Sequence, residues 1–392
     1  MTRASLDDPR LRGLPFVVAT VVSAVLVLSA PFVGRIRGQI RSAFPGHFVA
    51  IVGGAVALAI GSALVLALWR VRERRALRYT LLATSLAVGV AYSFVIRTGN
   101  PEVDVVEHFH FVSYGLVTLL FYRAWRPLGD AAVFLLPVLS ALIVGAVDEW
   151  FQWFLPNRIG ELRDVFLNAV AIGVGLVFSL GLQPPHRFTW SAGPVSRVRV
   201  RRMIAATIVV LAAFVSIVHL GHDVVDGERT FRSIYSATEL DALAADRAGR
   251  WRDNPPVVLR RLSAEDQYMS EGLWHVQRRN RAWEAGDART AFAENLILER
   301  FFAPVLDTPS YVSRSGHRWP PAHRTDAEAR ARQTGLNGAG YVSDANLYPI
   351  FTWPAGWFWL VVAAAAIAAW RARWPRRWTS GRESQPSRSS AG

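Results

Sequence analysis

Residues 131–154 read AAVFLLPVLSALIVGAVDEWFQWF. The first 17 of these residues carry no charge, and Asp148, Glu149 and Gln152 follow directly. An α-helix needs about 20 mainly apolar residues to cross the hydrocarbon core of a bilayer. This stretch therefore predicts a membrane-spanning helix with acidic groups near one end.

Further apolar stretches of similar length flank this one. The sequence predicts an all-α fold, a polytopic transmembrane helix bundle of about eight spans with a helical soluble domain inserted between spans seven and eight. The predicted spans are 14–34, 47–69, 79–96, 105–122, 131–154, 164–182, 203–220 and 351–370. Hydrophobic residues make up 52% of the 392-residue chain, which excludes a disordered protein. The absence of cysteine excludes disulfides and thiolate nucleophiles.

The spans divide the chain into five segments. We expect an N-terminal anchor helix and loop, a transmembrane domain, a seventh span, an extracytoplasmic helical domain, and a C-terminal span with a basic cytoplasmic tail. These segments are 1–44, 45–182, 183–220, 221–350 and 351–392. Within the fourth segment, capping and turn residues predict helices at about 263–283 and 290–303 and from 325 onward.

The distribution of arginine predicts the orientation. The formal net charge is +14, and all 44 basic residues are arginine. Eight spans leave both termini on one side, where the tails and short loops hold 21 arginines, against 6 in the opposite short loops. The positive-inside rule then places both termini in the cytoplasm and 221–350 outside. The other 17 arginines, in 221–350, are balanced by 18 acidic residues, so the basic excess indicates topology, and we expect no nucleic-acid partner.

Polar residues in three neighbouring spans are predicted to meet near the outer face. A charge at the centre of a membrane helix costs at least about 2.5–3.5 kcal/mol, so residues of this kind usually pair with one another or line a cavity. Spans four to six and the loop after span five place such residues within roughly 10 Å of the outer boundary, at about 1.5 Å of rise per residue. These residues are Glu107, His110, Tyr114, Asp148, Glu149, Gln152, Arg158, Asp164 and Asn168.

Three interpretations of this set stay open. The residues could form only a network that fixes helix register, they could line a pocket for a ligand, or they could bind a metal ion. His108 and His110 are two residues apart and cannot lie on one helix face, so we assign no metal ligand and expect no cofactor.

The same residues carry a resemblance to a known family. The motifs are Glu107-x-x-His110-Phe111-x-x-Tyr114-Gly115, Asp148-Glu149-x-x-Gln152-x-x-x-Pro156-x-Arg158 and Asp164-x-x-x-Asn168. With them, residues of about 45–182 resemble the VanZ-like family of bacterial membrane proteins, and 221–350 resemble no family. The chain departs from the family pattern at Val106, Glu107, Asn157 and Ala171, which changes the charge balance of the pocket and the helix packing.

The resemblance implies a bacterial cytoplasmic membrane protein with a role at the cell envelope. The family is named for a protein linked to low-level resistance to the glycopeptide teicoplanin, and it implies no defined biochemical activity. The resemblance and the pocket together suggest binding of an anionic envelope lipid or lipid-linked precursor, with Arg158 as the clamp for a phosphate or carboxylate.

Two other functions remain as alternatives. In an intramembrane enzyme, Glu107 and His110, or Asp148 and Glu149, would be the catalytic acid and base acting on a lipid-linked substrate. In a membrane scaffold, the polar set would be structural, and 221–350 would recruit an envelope protein.

Overall fold

The computed structural model describes residues 9–155, 160–253, 264–310, 313–334 and 340–372. Within these ranges, seven helices are long and apolar enough to cross a membrane. They are α1 (Pro9–Ala43), α2 (Phe48–Arg70), α3 (Arg75–Val95), α4 (Pro101–Trp125), α5 (Ala132–Trp153), α6 (Leu162–Leu182) and α7 (Pro194–Val218). The predicted all-α, multi-pass membrane architecture is confirmed.

The eighth predicted span corresponds to a shorter apolar helix. We label it α13 (Ala355–Arg371), and its 17 residues are at the lower limit of about 17–25 residues for a membrane helix. It packs along α7. That it crosses the membrane stays a prediction.

Helix α1 is longer than the sequence suggested. Its 35 residues extend to Ala43, so the loop predicted within residues 35–44 is almost entirely helical. The helix continues through Pro31, Gly34 and Gly38 and ends before Pro45 and Gly46, where Gly46 takes a positive φ of 76°. Arg41, near the end of α1, pairs with Glu102 in the first turn of α4 at 2.5 Å. The ends of these two helices therefore lie at the same side of the bundle.

Helix α4 is central to the bundle and packs against α1, α2, α5 and α6. It is continuous through Glu107 and His110, which interrupt its apolar pattern. Its closest approach is to α6, where a Cβ placed on Gly175 would lie 2.8 Å from the Cα of Gly115. Small residues allow membrane helices to approach this closely. The pair of glycines therefore fixes how α4 and α6 lie along each other.

The segment between α7 and α13 contains a small sheet as well as helices. The elements are β1 (His222–Asp226), β2 (Arg229–Ser233), α8 (Ala237–Asp253), α9 (Ala264–Glu284), α10 (Ala288–Phe301), α11 (Ala303–Asp307), α12 (Pro321–Gln333) and β3 (Tyr341–Val342). β1 and β2 form an antiparallel hairpin, and β3 pairs with β2 in parallel. Helices occur where they were predicted, although the proposed cap Ser263 lies outside the described residues. The predicted start of the third helix at residue 325 is wrong, because α12 begins four residues earlier at Pro321, and proline is accepted in a first helical turn. The sheet was not predicted, because each strand is short and buries at most two side chains, such as Val224 in β1 and Phe231 in β2, while β3 buries none.

The segment packs directly on the ends of α5, α6 and α7. Trp153 at the end of α5 contacts an apolar cluster that includes Trp274 and Tyr348, and its indole Nε1 donates to the Tyr348 hydroxyl at 3.4 Å. Behind this contact lies His219, which is fully buried just after α7. Its Nδ1 donates to the carbonyl of Pro349 at 2.8 Å, and its Nε2 accepts from the Leu162 amide at 3.1 Å. One neutral imidazole thus joins α6, α7 and the segment.

This joint predicts a pH-dependent stability. Burial lowers the pKa of His219 below its ordinary value of 6.5. Between the lowered pKa of His219 in the folded protein and its ordinary value in the unfolded chain, the unfolded chain binds more protons. The contribution of His219 to the free energy of unfolding is therefore complete above about pH 6.5 and is lost as the pH falls. The melting temperature of the detergent-solubilised protein should fall between about pH 7.5 and pH 5, and the fall should be smaller in His219→Gln. The exposed His222, changed to Gln, serves as the matched control. Equal pH slopes for wild type and His219→Gln would contradict this account.

Candidate functional site

The structure brings six of the nine predicted site residues into one hydrogen-bonded network between α4, α5 and α6. The network connects side chains from all three helices within their membrane-spanning lengths. The residues are His110, Tyr114, Asp148, Glu149, Gln152 and Asn168. All except His110 are buried. The predicted convergence of these side chains is therefore observed, whereas their binding of a ligand stays a prediction.

Asp148 connects α5 to α4. Its Oδ2 accepts from the Tyr114 hydroxyl at 2.8 Å and from Gln152 Nε2 at 3.1 Å. Asp148 and Gln152 are four residues apart and so lie on one face of α5. Because charge-assisted hydrogen bonds offset the cost of burying a carboxylate, Asp148 is retained in an otherwise apolar setting.

Glu149 connects α5 to α6. Its Oε1 accepts from Gln152 Nε2 and from Asn168 Nδ2, each at 3.3 Å. The side chain is completely buried. Since the amide nitrogen of Asn168 faces Glu149, the amide oxygen faces α4, where it contacts His110 Nδ1 at 2.6 Å. The chain of contacts thus runs from α5 through α6 to α4.

These contacts define the state of His110. An amide oxygen only accepts hydrogen bonds, so Nδ1 of His110 carries a proton. The other ring nitrogen, Nε2, lies 4.0 Å from Oε2 of Glu107 on the same helix.

Glu107, His110 and Asp164 lie at the edge of the network and are only partly buried. Asp164 is in the first turn of α6, where the helix dipole favours a carboxylate. The residue before α6 is Glu161, which the sequence analysis did not place in the site. Burial and the neighbouring Asp164 raise the pKa of Glu161 to about 7. We call Glu107, His110, Glu161 and Asp164 the rim. Arg158, the predicted clamp, lies outside the described residues.

Two glycines make room for the network. A Cβ on Gly145 of α5 would lie 3.3 Å from the Cβ of Asn168 and 3.4 Å from the Tyr114 ring. A Cβ on Gly160 would lie 1.9 Å from the carbonyl oxygen of Glu149, so only glycine fits where the chain folds back over the end of α5. The close approach of α4, α5 and α6 therefore depends on missing side chains as well as on hydrogen bonds.

A second buried polar row lies in the segment above the bundle, on helix α9. Gln267, Glu271, His275 and Arg279 recur every four residues and are all buried. Glu271 accepts from the Ser233 hydroxyl at 2.5 Å and from Gln267 Nε2 at 3.1 Å, and burial raises the pKa of Glu271. The sequence analysis missed this row, although the period of four was visible in the sequence.

The partners of this row indicate a structural role. Glu294 of α10 accepts from His275 Nδ1 at 2.6 Å and from the hydroxyls of Tyr341 and Ser343, each at 2.5 Å. Burial alone would raise the pKa of Glu294, but the His275 charge and these hydrogen bonds hold it below its ordinary value. Each bond connects α9 and α10 or α10 and the β3 region, so the row holds the sheet on the helices.

Among the described residues, no group of three or more His, Asp or Glu side chains is arranged to hold a metal ion. Comparison of the chain with models of known protein families, with curated proteins and with solved structures found no match.

The Tyr114–Asp148 bond gives a direct test of the network. Tyr114→Phe removes the hydroxyl donor but keeps the ring, and a hydrogen bond to a charged group contributes about 1.5–3 kcal/mol. We expect a lower melting temperature for Tyr114→Phe in detergent, with most of the loss absent when Asp148→Ala, which removes the acceptor, is already present. Tyr79→Phe is the matched control, because the Tyr79 hydroxyl makes no hydrogen bond within the described residues. Additive losses in the double variant would count against this bond.

Proposed function

We propose that this chain is a VanZ-like protein of the bacterial cytoplasmic membrane that binds the headgroup of an anionic envelope lipid or lipid-linked precursor at the outer leaflet. The resemblance supports the class of protein, and the arginine distribution supports the orientation. In that orientation both termini lie in the cytoplasm, and the network lies near the outer face, beneath the segment of residues 221–350.

The observation that carries the proposal is the chemistry of the rim. Oε2 of Glu107 is buried and accepts no hydrogen bond from any residue in the described ranges. A carboxylate oxygen can only accept, so its natural partner is a hydroxyl or ammonium group. Lipid-linked envelope precursors carry sugar hydroxyls and amino groups close to their phosphates. Glu107 would bind such a donor, and Arg158 would bind the phosphate.

The inner part of the network has a different role in this proposal. Tyr114, Asp148, Gln152 and Asn168 already use one another as partners and are buried. They would form the rigid floor of the site rather than contact the ligand. Changes at the floor should reduce stability and binding together, whereas changes at the rim should reduce binding alone.

One observation favours an intramembrane acid/base enzyme as a second candidate. Nε2 of His110 lies 4.0 Å from Oε2 of Glu107, and His110 is oriented by Asn168, which in turn donates to Glu149. A catalytic histidine needs this kind of fixed tautomer and orientation. An enzyme of this kind would process a lipid-linked substrate with a bell-shaped pH profile that disappears in His110→Ala.

The proposal is tested by native mass spectrometry of the purified full chain with its co-purifying lipid. Glu107→Gln and Arg158→Ala should each reduce lipid occupancy by roughly tenfold, because each removes a charged hydrogen-bonding partner. Glu102→Gln is the matched control, since Glu102 lies on the same helix but pairs with Arg41. Equal lipid retention in all four proteins would refute binding at the rim. A processed lipid that appears with wild type but not with His110→Ala would favour the enzyme.

A further inference from the structure

The opposite end of the bundle contains a basic cavity. Its volume is about 780 Å³, and it lies between the ends of α2, α3, α4 and α6. Five arginines line it, namely Arg70, Arg74, Arg78, Arg123 and Arg126, together with one acidic residue, Glu73. Arg123 is 13 residues beyond His110 on α4, which places the cavity about 20 Å from the polar network along that helix. The two sites are therefore separate.

Among the described residues, no carboxylate neutralises the charges of the five arginines. Within the described part of the chain, none of them lies within ion-pair distance of a carboxylate, Glu73 included. Arg123 is close enough to Arg70 and Arg126 for the three positive charges to repel one another. Arginines that serve only to set membrane topology have no reason to converge on one cavity, since the positive-inside rule counts charges in loops and not their arrangement.

Three of the arginines are held in place by other groups. Arg78 donates to the last carbonyls of α6, from Nε to Gly181 at 2.8 Å and from Nη2 to Leu182 at 2.5 Å. Arg123 and Arg126 both donate to the side-chain oxygen of Gln183, at 3.2 and 3.4 Å. A guanidinium has five N–H donors, so most donors of these side chains stay available.

The other two arginines are on the connection between α2 and α3. The side chains of Arg70 and Arg74 make no hydrogen bond to any part of the chain that the structure describes. Arg74 has a φ of 47°, and it is the only described residue other than glycine with a positive φ. Left-handed backbone is unfavourable for such a residue and is often found at binding sites. The connection therefore holds two available guanidinium groups at the mouth of the cavity.

We propose that this cavity binds a ligand with two adjacent phosphate groups, the headgroup of an anionic lipid in the leaflet opposite to the polar network. A single phosphate accommodates one or two guanidinium groups in bidentate contacts, whereas five need a more highly charged partner. Leucines also line the cavity, including Leu77, Leu81 and Leu180, and they offer an apolar surface for the hydrocarbon part of a lipid. Basic cavities between membrane helices at the cytoplasmic side recognise headgroups of this chemistry.

Native mass spectrometry of the purified full chain in neutral detergent tests the assignment. Diphosphatidylglycerol is the lipid probe, phosphatidylcholine is the neutral lipid, and inorganic pyrophosphate represents a soluble source of the same chemistry. The test variant is Arg70→Gln with Arg74→Gln. The matched control is Arg72→Gln with Arg75→Gln, which removes the same charge from the same connection, because neither of those residues lines the cavity. Arg70→Gln alone is the fallback if the double test variant fails to fold.

We expect wild type and the control to bind diphosphatidylglycerol and not phosphatidylcholine. The test variant should bind diphosphatidylglycerol more weakly, by up to roughly tenfold for each guanidinium removed. Pyrophosphate that binds as tightly as the lipid, with the same dependence on Arg70 and Arg74, would support the diphosphate chemistry and assign a soluble source. Equal weakening by test and control variants, or no saturable binding of either probe, would overturn the proposal. Neither result affects the rim, because Glu107 is unchanged.

Discussion

The buried carboxylate of Glu149 is the constraint on which the rest of the membrane bundle depends. A charged or strongly polar group inside a bilayer is costly unless other polar groups surround it. Glu149 has Gln152 as a partner on its own helix, but it gains Asn168 only if α6 presents that residue at the same depth, and Asn168 in turn reaches His110 only if α4 is in register. A shift of one turn in any of the three helices would leave several of these groups in hydrocarbon. The small residues Gly145 and Gly175 allow the helices to come close enough for these contacts.

The two ends of the membrane bundle carry side chains of opposite charge. The end with Glu107, Glu161 and Asp164 is acidic and lies beneath a folded segment, which is fastened by His219 and by Trp153. The other end gathers arginines around a cavity, and no folded segment covers it in the described residues. Helices α4 and α6 contribute to both ends. The network between them therefore positions two groups of opposite charge through one set of helix contacts.

The sequence predicted what depends on local patterns. The length of the apolar stretches predicted the helices, and the free-energy cost of polar groups in a membrane indicated that His110, Asp148 and Asn168 would lie close together. The structure differs from these predictions where contacts between residues distant in the sequence determine the conformation. β3 pairs with a strand more than 100 residues earlier in the chain. In the sequence, His219 is an isolated residue at the end of a span, and its hydrogen bond to the Leu162 amide forms only in the folded protein. Glu161 joins the site only because the chain folds back against α5 at Gly160. The arginines of the basic cavity were counted in predicting the topology. The number of arginines in each loop predicts orientation in the membrane but does not show which of them lie together in the folded protein.

Because the natural chain has no cysteine, a pair of introduced cysteines tests the depth shared by α5 and α6. A Cβ on Gly145 lies 3.3 Å from that of Asn168, close to the roughly 3.5–4.5 Å found in disulfides. Gly145→Cys with Asn168→Cys should form a reducible intramolecular crosslink under mild oxidation in membranes. Gly145→Cys with Gly173→Cys should not, since a Cβ on Gly173 has no neighbour within 4 Å. Absence of the first crosslink, or equal crosslinking of both pairs, would contradict the proposed register of the helices.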